Sequence, residues 1–242
     1  MKNRVKKVTK AVKEFSRFAQ AYDHYNIIQS EVAKHLVSRV PYRNYRTIVD
    51  IGAGSGEIYR NLCRQEIICE HFIALDSSVE MLKLHPEALS VEKVCADFNL
   101  PETFEKLEVE KRILLLSSSA LQWSRDLDVT LSRLSALSTE AYFAIFTSNT
   151  FKTLHRYAGI DSPIYSGEVL QRHIDTYFPD ASYEVRNYRL YFESVYRMLR
   201  YIKQSGVSGG EKRLRYRETK ALMKAYPLNY LEFEVLFVEV QP

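Results

Sequence analysis

The chain has 242 residues, of which 46% are hydrophobic and 26% are charged, and its formal net charge is +4. This length suits one large domain that buries roughly 70 to 75% of the surface of its unfolded chain. No apolar run approaches the roughly 18 residues of a membrane span, and no apolar segment follows the positive charges between Met1 and Lys13. We therefore expect a cytoplasmic protein with no membrane partner.

The cysteines exclude two common site types. Cys63, Cys69 and Cys95 are odd in number and lack C-x-x-C spacing, so we expect neither a metal site nor a disulfide framework. We interpret them as small hydrophobic residues in the core.

Helices are predicted at the start of the chain. The spacing of apolar residues favours helices over 8–21 and 29–40, the second ending before Pro41. We treat 1–41 as an N-terminal helical cap on a single domain that spans 1–242.

From residue 48 onwards, apolar strands alternate with helices, which is typical of a doubly wound α/β sheet. Helices are predicted over 55–64 and 78–84. The continuous apolar run from Ile113 to Leu116 indicates a central strand buried on both faces, whereas 231–240 alternates and is expected to be half exposed. The predicted strands are 48–51, 72–76, 91–96, 112–117, 141–147, 184–191 and 231–240.

The connection between the fifth and sixth strands is longer than a plain crossover helix. Residues 149–180 contain the breakers Gly159, Pro163 and Gly167. An insertion here would lie over the carboxyl edge of the sheet, where it would be either a lid or a decorated surface excursion.

A glycine-rich turn follows the first strand. Gly52, Gly54 and Gly56 permit positive φ and let backbone N–H groups approach a ligand. A dinucleotide fingerprint would require glycine at position 57, where Glu57 would compete with a diphosphate for the helix N-terminus. The turn therefore predicts a nucleotide cofactor that is not a dinucleotide, with a ligand-free turn as the alternative.

Three acids stand at three successive strand ends. Asp50 precedes the first glycine by two positions, Asp76 ends the second strand and Asp97 follows the third. The carboxyl ends of strands in an open α/β sheet face one crevice, so the three carboxylates are expected to converge on one ligand. At its position Asp76 suits the two ribose hydroxyls of a nucleoside.

The glycine turn with Asp50 resembles motif I of the class I methyltransferases, which bind S-adenosylmethionine. This resemblance implies a Rossmann-like fold, with a seven-stranded, mostly parallel sheet and an antiparallel last strand. It also implies that Asp50 serves the methionine ammonium, and that Asp97 and Phe98 serve the adenine. The cofactor residues that it implies are Asp50, Gly52, Ala53, Gly54, Gly56, Asp76, Ser77, Asp97, Phe98 and Ser117.

The whole chain resembles the malonyl-acyl-carrier-protein O-methyltransferases of biotin synthesis. The likeness lies in Phe15, Arg17, Ala19, Tyr22 and Gln29, in Ala120-Leu121-Gln122-Trp123, in a helix over 198–207, and in Tyr226-Pro227-Leu228-Asn229-Tyr230. Ser118, where relatives often have Asn, and 103–111, which lacks the usual Phe-Asp, depart from the family pattern. These departures leave the substrate side open.

The resemblance implies methylation of the free carboxylate of a malonyl thioester. Such a carboxylate is ionised at neutral pH, so no general base is needed. We expect Arg200 or Lys203 to bind it, because the two cations share one face of the predicted helix. The expected pocket wall and polar contacts are Tyr22, Gln122, Trp123 and Tyr230. The alternatives are that the two cations are solvated on the surface and that Trp123 is a core residue under the fourth strand.

The implied partner is an acidic acyl carrier protein, or coenzyme A as the alternative carrier of the malonyl group. Basic clusters lie within 2–13 and at Lys212, Arg213, Arg215 and Arg217. They are either a docking face or solvated helix surfaces. An RNA or other small-molecule methyltransferase, and a catalytically silent methyltransferase-like binding protein, stay as alternatives, although we expect no nucleic-acid partner.

Overall fold

The structure, a computed structural model, describes residues 25–105, 107, 113–204 and 216–241, with the backbone alone at 203, 204, 216 and 217. The helix expected over 8–21 lies outside the described residues. The strands are β1 Tyr45–Ile51, β2 Cys69–Asp76, β3 Val91–Cys95, β4 Ile113–Ser118, β5 Glu140–Phe146, β6 Ser182–Tyr191 and β7 Tyr230–Val240.

These strands form one sheet in the order β3-β2-β1-β4-β5-β7-β6. The pairs that join β3, β2, β1, β4 and β5 are all parallel. Strand β7 runs antiparallel to both of its neighbours, β5 and β6. The predicted mostly parallel sheet with an antiparallel last strand is therefore confirmed.

Helices cover both faces of the sheet. In chain order they are α1 Ile27–Val37, α2 Glu57–Arg64, α3 Val79–Leu84, α4 Pro101–Glu105, a 3-10 turn Leu121–Trp123, α5 Leu127–Leu137, α6 Lys152–Ala158, α7 Gly167–Tyr177, α8 Val195–Gln204 and α9 Tyr216–Ala225. One apolar cluster joins α1, α2, α8 and α9 to one face. A second joins α5 and α7 to the other, which gives the three layers of a doubly wound fold.

Burial along the strands follows their position in the sheet. The apolar run of β4 is fully buried, as predicted for a central strand. The expectation of a half-exposed last strand is confirmed for the first half of β7, where Glu232 and Glu234 are partly exposed between buried apolar residues. It is wrong for the second half: β7 lies inside the sheet between β5 and β6, and Val235, Leu236, Phe237 and Val238 are all buried.

The first described helix is part of the core. Helix α1 buries Val32 and Leu36 completely and contacts α2, β4 and β5. The described part of the predicted N-terminal cap thus packs against one face of the sheet. It also reaches the carboxyl end of β1, where the glycine turn lies.

The segment predicted as a lid has two different parts. Helix α6 lies near β7 and α9. Helix α7 contacts α5 and buries Leu170, Ile174 and Phe178 in the second core cluster. The apolar stripe of α7 at i, i+4 and i+8 is thus packed against the sheet, and the interpretation of 149–180 as a lid stays a prediction.

The interpretation of the cysteines as core residues is wrong. Cys63 and Cys95 are exposed and Cys69 is half-buried. Within the described ranges no three His, Cys, Asp or Glu residues are grouped as metal ligands. None of the described helices combines the length and the apolar character that a membrane crossing requires.

Candidate active site

The glycine turn between β1 and α2 is held by backbone conformation and by close packing. Gly52, Gly54 and Gly56 have φ of +76°, +54° and +92°. A Cβ on Gly52 would lie 2.3 Å from the Cβ of Ala120, and one on Gly56 would lie 2.6 Å from Cδ of Pro86. The first and third glycines are thus required by neighbouring residues as well as by the left-handed backbone.

Asp50 is buried beneath this turn, with 1% of its surface exposed. Neither of its carboxylate oxygens has a hydrogen-bond partner among the described residues. Burial, and then the nearby carboxylate of Asp76, raise the pKa of Asp50 well above its usual range. A buried acceptor pair of this kind is suited to a cationic group with several N–H donors.

Asp76 is half-buried at the end of β2 and supports the turn directly. Its Oδ2 accepts a hydrogen bond of 2.9 Å from the Gly54 N–H, and its Oδ1 accepts one of 2.8 Å from the Ser78 N–H. Burial raises the pKa of Asp76, and these backbone hydrogen bonds oppose the rise. Ser77, which is half-exposed, contributes a further backbone hydrogen bond to this carboxylate.

A pocket of about 350 Å³ opens at the carboxyl ends of β1 and β4, the usual position of a ligand in an open α/β sheet. It brings together four of the predicted cofactor residues, Asp50, Gly52, Ala53 and Gly54. The other lining residues were not predicted as site residues, and they are Gln29, Ala33, Ser55, Glu57, Ile58, Ser118 and Ser119.

Asp97 already has partners on both oxygens. Arg125 Nη2 lies 2.6 Å from Oδ2, and Asn99 donates to Oδ1 from its backbone N–H and its side-chain amide at 2.9 and 2.8 Å. Phe98 is 9% exposed and belongs to the core cluster that contains α5. The adenine roles of Asp97 and Phe98 stay predictions.

Ser117 connects strands β1 and β4 by a hydrogen bond. Its side chain is completely buried, and its Oγ donates a 2.8 Å hydrogen bond to the carbonyl of Ile51. This contact joins the ends of β1 and β4, directly under the glycine turn. It fixes the spacing of the two strands that border the pocket.

The predicted acceptor residues lie at separate places. Gln122 is buried, its Nε2 donates to the Ser119 carbonyl at 2.6 Å, and its Oε1 has no hydrogen-bond partner among the described residues. Trp123 is half-buried beside it, and Arg200 is exposed on α8. Tyr230 packs on Tyr191 with ring centroids 5.2 Å apart.

Arg200, Trp123 and Tyr230 do not line the pocket. Two predicted acceptor groups, Tyr22 and the side chain of Lys203, lie outside the described residues. The basic clusters also lie outside them: the cluster within 2–13, and Lys212, Arg213, Arg215 and the side chain of Arg217. All these substrate and docking roles stay predictions.

The sequence of this chain is similar to those of known proteins. No protein-family model matches it. Proteins named malonyl-[acyl-carrier protein] O-methyltransferase are similar to it. The one from Bacillus cytotoxicus is 30% identical over 60% of this chain and 52% of that protein. Those from Halorhodospira halophila and Neorickettsia risticii are 27% and 29% identical, over 82% and 79% of this chain and 71% and 79% of those proteins. The chain therefore spans about half of the length of the first relative and more of the other two.

Solved structures share the fold at low sequence identity. A putative methyltransferase in complex with the Haloferax volcanii Trm112 activator superposes with a TM-score of 0.58 at 18% identity, over 94% of this chain and 97% of that chain. Phosphoethanolamine N-methyltransferase 2 of Haemonchus contortus, in complex with S-adenosyl-L-methionine, gives 0.54 at 15% identity, over 93% of this chain and 56% of that chain. The chain thus has the class I methyltransferase fold and is similar in sequence to malonyl-[acyl-carrier protein] O-methyltransferases.

Proposed function

We propose that the chain is an S-adenosylmethionine-dependent methyltransferase whose acceptor is the free carboxylate of a malonyl thioester on an acyl carrier protein. The observation that carries the cofactor is the buried Asp50 carboxylate, whose two oxygens have no partner among the described residues. The support for the acceptor is the similarity to proteins named malonyl-[acyl-carrier protein] O-methyltransferase.

The residues of the pocket fit this cofactor. Asp50 offers two buried acceptor oxygens to an ammonium group, and we propose that Asp76, at the end of the neighbouring strand β2, accepts a hydrogen bond from a ribose hydroxyl. When bound, S-adenosylmethionine would supply a methyl group for transfer to a nucleophile, and the electrons of the broken S–C bond would remain on its sulfonium sulfur. Glu57 does not compete for the ligand, because it pairs with Arg60 at 2.7 Å and accepts from Ser30 at 2.9 Å.

The chemistry of a carboxylate acceptor limits what the protein must do. The acceptor oxygen carries its lone pair at neutral pH, so no residue has to remove a proton. A carboxylate and a sulfonium lose their charges as the new O–C bond forms, so a dry site that holds the two in line lowers the barrier. The tasks left for the chain are to seat the carboxylate and to exclude water.

On the acceptor side we propose Arg200 or Lys203 as the cation that binds the malonyl carboxylate. Gln122 is proposed to reach the thioester, since its Oε1 is buried without a described partner close to Ser119, which lines the pocket. Tyr230 is held between Tyr191 and the guanidinium of Arg189, 5.0 Å from its ring centroid. We propose that it borders the route of the acyl chain.

A methyl-transfer assay tests the proposal. The full chain is incubated with S-adenosylmethionine labelled on the methyl group and, in parallel, with malonyl-acyl carrier protein, acetyl-acyl carrier protein, malonyl-CoA or RNA. We expect label on malonyl-acyl carrier protein in a base-labile ester and none on the acetyl form, which has no free carboxylate. The variant Asp50→Asn is the control for cofactor-dependent transfer.

Other outcomes point to the alternatives. Label on RNA, with none on the malonyl thioesters, would contradict the proposed acceptor and favour an RNA methyltransferase. Binding of S-adenosylmethionine without transfer to any of the four would favour a catalytically silent protein. Equal labelling of malonyl-CoA would remove the requirement for a carrier protein.

A further inference from the structure

Helix α1 brings a polar side chain into the wall of the pocket. Gln29 is 6% exposed and lines the pocket together with Asp50 and Ala33. Gln29 and Ala33 are four residues apart and therefore share one face of the helix. The Oε1 atom of Gln29 is buried and has no hydrogen-bond partner among the described residues.

Three buried acceptor atoms thus belong to two residues that line one pocket. They are Oε1 of Gln29 and the two carboxylate oxygens of Asp50, and none of them is paired with a described residue. Leaving a buried acceptor unpaired is costly, so the three together indicate a ligand group with several donors. A hydroxyl has one O–H donor and a primary amide has two N–H donors. An ammonium has three N–H donors and no acceptor.

We propose that Gln29 is a positioning residue for the α-ammonium group of the cofactor, accepting one N–H at Oε1 while Asp50 accepts the others. This inference rests on the proposed function, because it assumes S-adenosylmethionine as the ligand. A neutral amide suits the position. A third acid near Asp50 and Asp76 would add repulsion, since the charge of Asp76 already raises the pKa of Asp50.

The position of Gln29 is fixed by contacts that do not involve a ligand. The next residue, Ser30, donates a 2.9 Å hydrogen bond to Glu57 at the start of α2. Glu57 is held in turn by Arg60, which also donates to the carbonyl of Ser55 at 2.8 Å. These contacts fasten α1 to the glycine turn, so Gln29 faces the pocket in a preset place and loses little freedom on binding.

The test compares two ligands, of which only one has the amino-acid part. S-adenosylmethionine carries the ammonium, and 5′-methylthioadenosine keeps the adenosine and the sulfur, as a neutral thioether, but has no amino-acid part. Affinity is measured by calorimetry on the full chain and on Gln29→Met, which keeps the length of the side chain and removes its polar atoms. We expect Gln29→Met to weaken S-adenosylmethionine by about 10- to 100-fold, the loss of one hydrogen bond to a charged group, and to leave 5′-methylthioadenosine unchanged.

Two further variants separate positioning from a general structural effect. Gln29→Glu retains an acceptor oxygen, so it should keep more of the preference for S-adenosylmethionine than Gln29→Met does. Ser30→Ala removes one hydrogen bond that holds Gln29 in place, so it should weaken S-adenosylmethionine by a smaller factor than Gln29→Met does and leave 5′-methylthioadenosine unchanged. Thermal melting of each variant without ligand reports whether the fold is intact.

The outcomes that contradict the inference are distinct. Equal weakening of both ligands by Gln29→Met, or no weakening of either, overturns the role of Gln29 and leaves the proposed function standing. Failure of the parent chain to bind S-adenosylmethionine overturns the proposed function and this inference with it. Transfer to an acceptor other than malonyl changes the proposed acceptor and leaves the Gln29 result intact.

Discussion

Arg125 Nη2 lies 2.6 Å from Oδ2 of Asp97, and the two side chains are 24% and 20% exposed. The ion pair joins the segment that precedes α5 to the segment that follows β3. Asn99 strengthens the same connection, because its Oδ1 accepts a 2.7 Å hydrogen bond from the Arg125 N–H. An adenine amine at Asp97 would therefore share the carboxylate with Arg125.

Removing the guanidinium of Arg125 should show how much its ion pair with Asp97 contributes to the stability of the protein. We predict that Arg125→Met lowers the free energy of unfolding by about 1 to 2 kcal/mol, because a half-buried carboxylate loses a charged partner while some screening by solvent remains. Urea denaturation of Arg125→Met, Asp97→Asn and the double variant measures the coupling. Additive effects of the two substitutions would show that the pair does not act as a unit.

Gly52 and Gly159 provide a matched comparison. Both have positive φ, of +76° and +63°, but a Cβ on Gly159 would meet no atom within 4 Å. We predict that Gly159→Ala lowers the free energy of unfolding by about 1 kcal/mol, the cost of a left-handed alanine. Gly52→Ala should cost several times more, since its Cβ would overlap Ala120, and thermal or urea unfolding checks the difference. Equal losses would contradict the packing role of Gly52.

The raised pKa of Asp50 predicts that cofactor affinity depends on pH. An aspartate in an unfolded chain titrates near 4, so between that pH and the higher folded pKa the folded protein binds the extra proton. Its stability therefore falls as the pH rises through this window. Binding of an ammonium requires the ionised carboxylate, so affinity should rise by up to about tenfold per pH unit until the folded pKa is passed.

Calorimetry in buffers of different ionisation enthalpy should detect proton release on binding, and Asp50→Asn should abolish it. Two other acids lie near Asp50 among the described residues: Glu57 on α2 lines the same pocket, and the charge of Asp76 on β2 acts on Asp50. Asp50→Asn should also stabilise the free protein at pH 8, because it removes a buried charge. Proton release that persists in Asp50→Asn would assign the linkage to one of the other two acids.

The proposed clamp on the malonyl carboxylate has its own control. Arg200 and Arg197 are exposed cations one turn apart on α8. If Arg200 binds the acceptor, Arg200→Met should lower kcat/KM on malonyl-acyl carrier protein. The expected loss of transition-state stabilisation is about 2 to 5 kcal/mol, with cofactor affinity unchanged. Arg197→Met should have a small effect. Parental activity in both Arg200→Met and Lys203→Met would place the clamp elsewhere.

Charge reversal tests the proposed docking face. Replacing Lys212, Arg213, Arg215 and Arg217 by Glu should raise the KM for malonyl-acyl carrier protein, because an acidic carrier meets repulsion in place of attraction. The KM for malonyl-CoA should change little. Equal changes for both substrates would return this cluster to the interpretation of a solvated surface.

Features that depend on a short stretch of chain, such as the glycine turn and the buried strand β4, can be predicted from the sequence. The glycine turn requires positive φ at fixed positions, and the buried run of β4 has no polar break, so both could be identified without their neighbours. Asp50 and Asp76 are expected to lie close together because parallel strands end at one edge of a sheet, and the charge of Asp76 does act on Asp50. These inferences depend on short stretches of chain and on general sheet geometry.

Features that depend on distant partners were not predictable in this way. The burial of Leu170 and Ile174 depends on a face of the sheet that other strands complete, so the length of the segment after β5 does not indicate it. The burial of β7 depends on β6, and the pairing of Arg125 with Asp97 spans 28 residues. The sequence indicates Gln29 only as one residue of the family's N-terminal pattern, because a single polar residue on an amphipathic helix gives no local sign of what it faces.

The position of β7 between β5 and β6 affects how the chain is made. Strand β6 stands at the end of the sheet order and pairs with β7 over all ten of its residues. During synthesis β6 leaves the ribosome before β7 exists, so its backbone groups have no strand to bind until residues 230–240 emerge. We expect the nascent chain to depend on chaperones in this interval, because an unpaired strand with Val185, Tyr188 and Leu190 is open to wrong pairing.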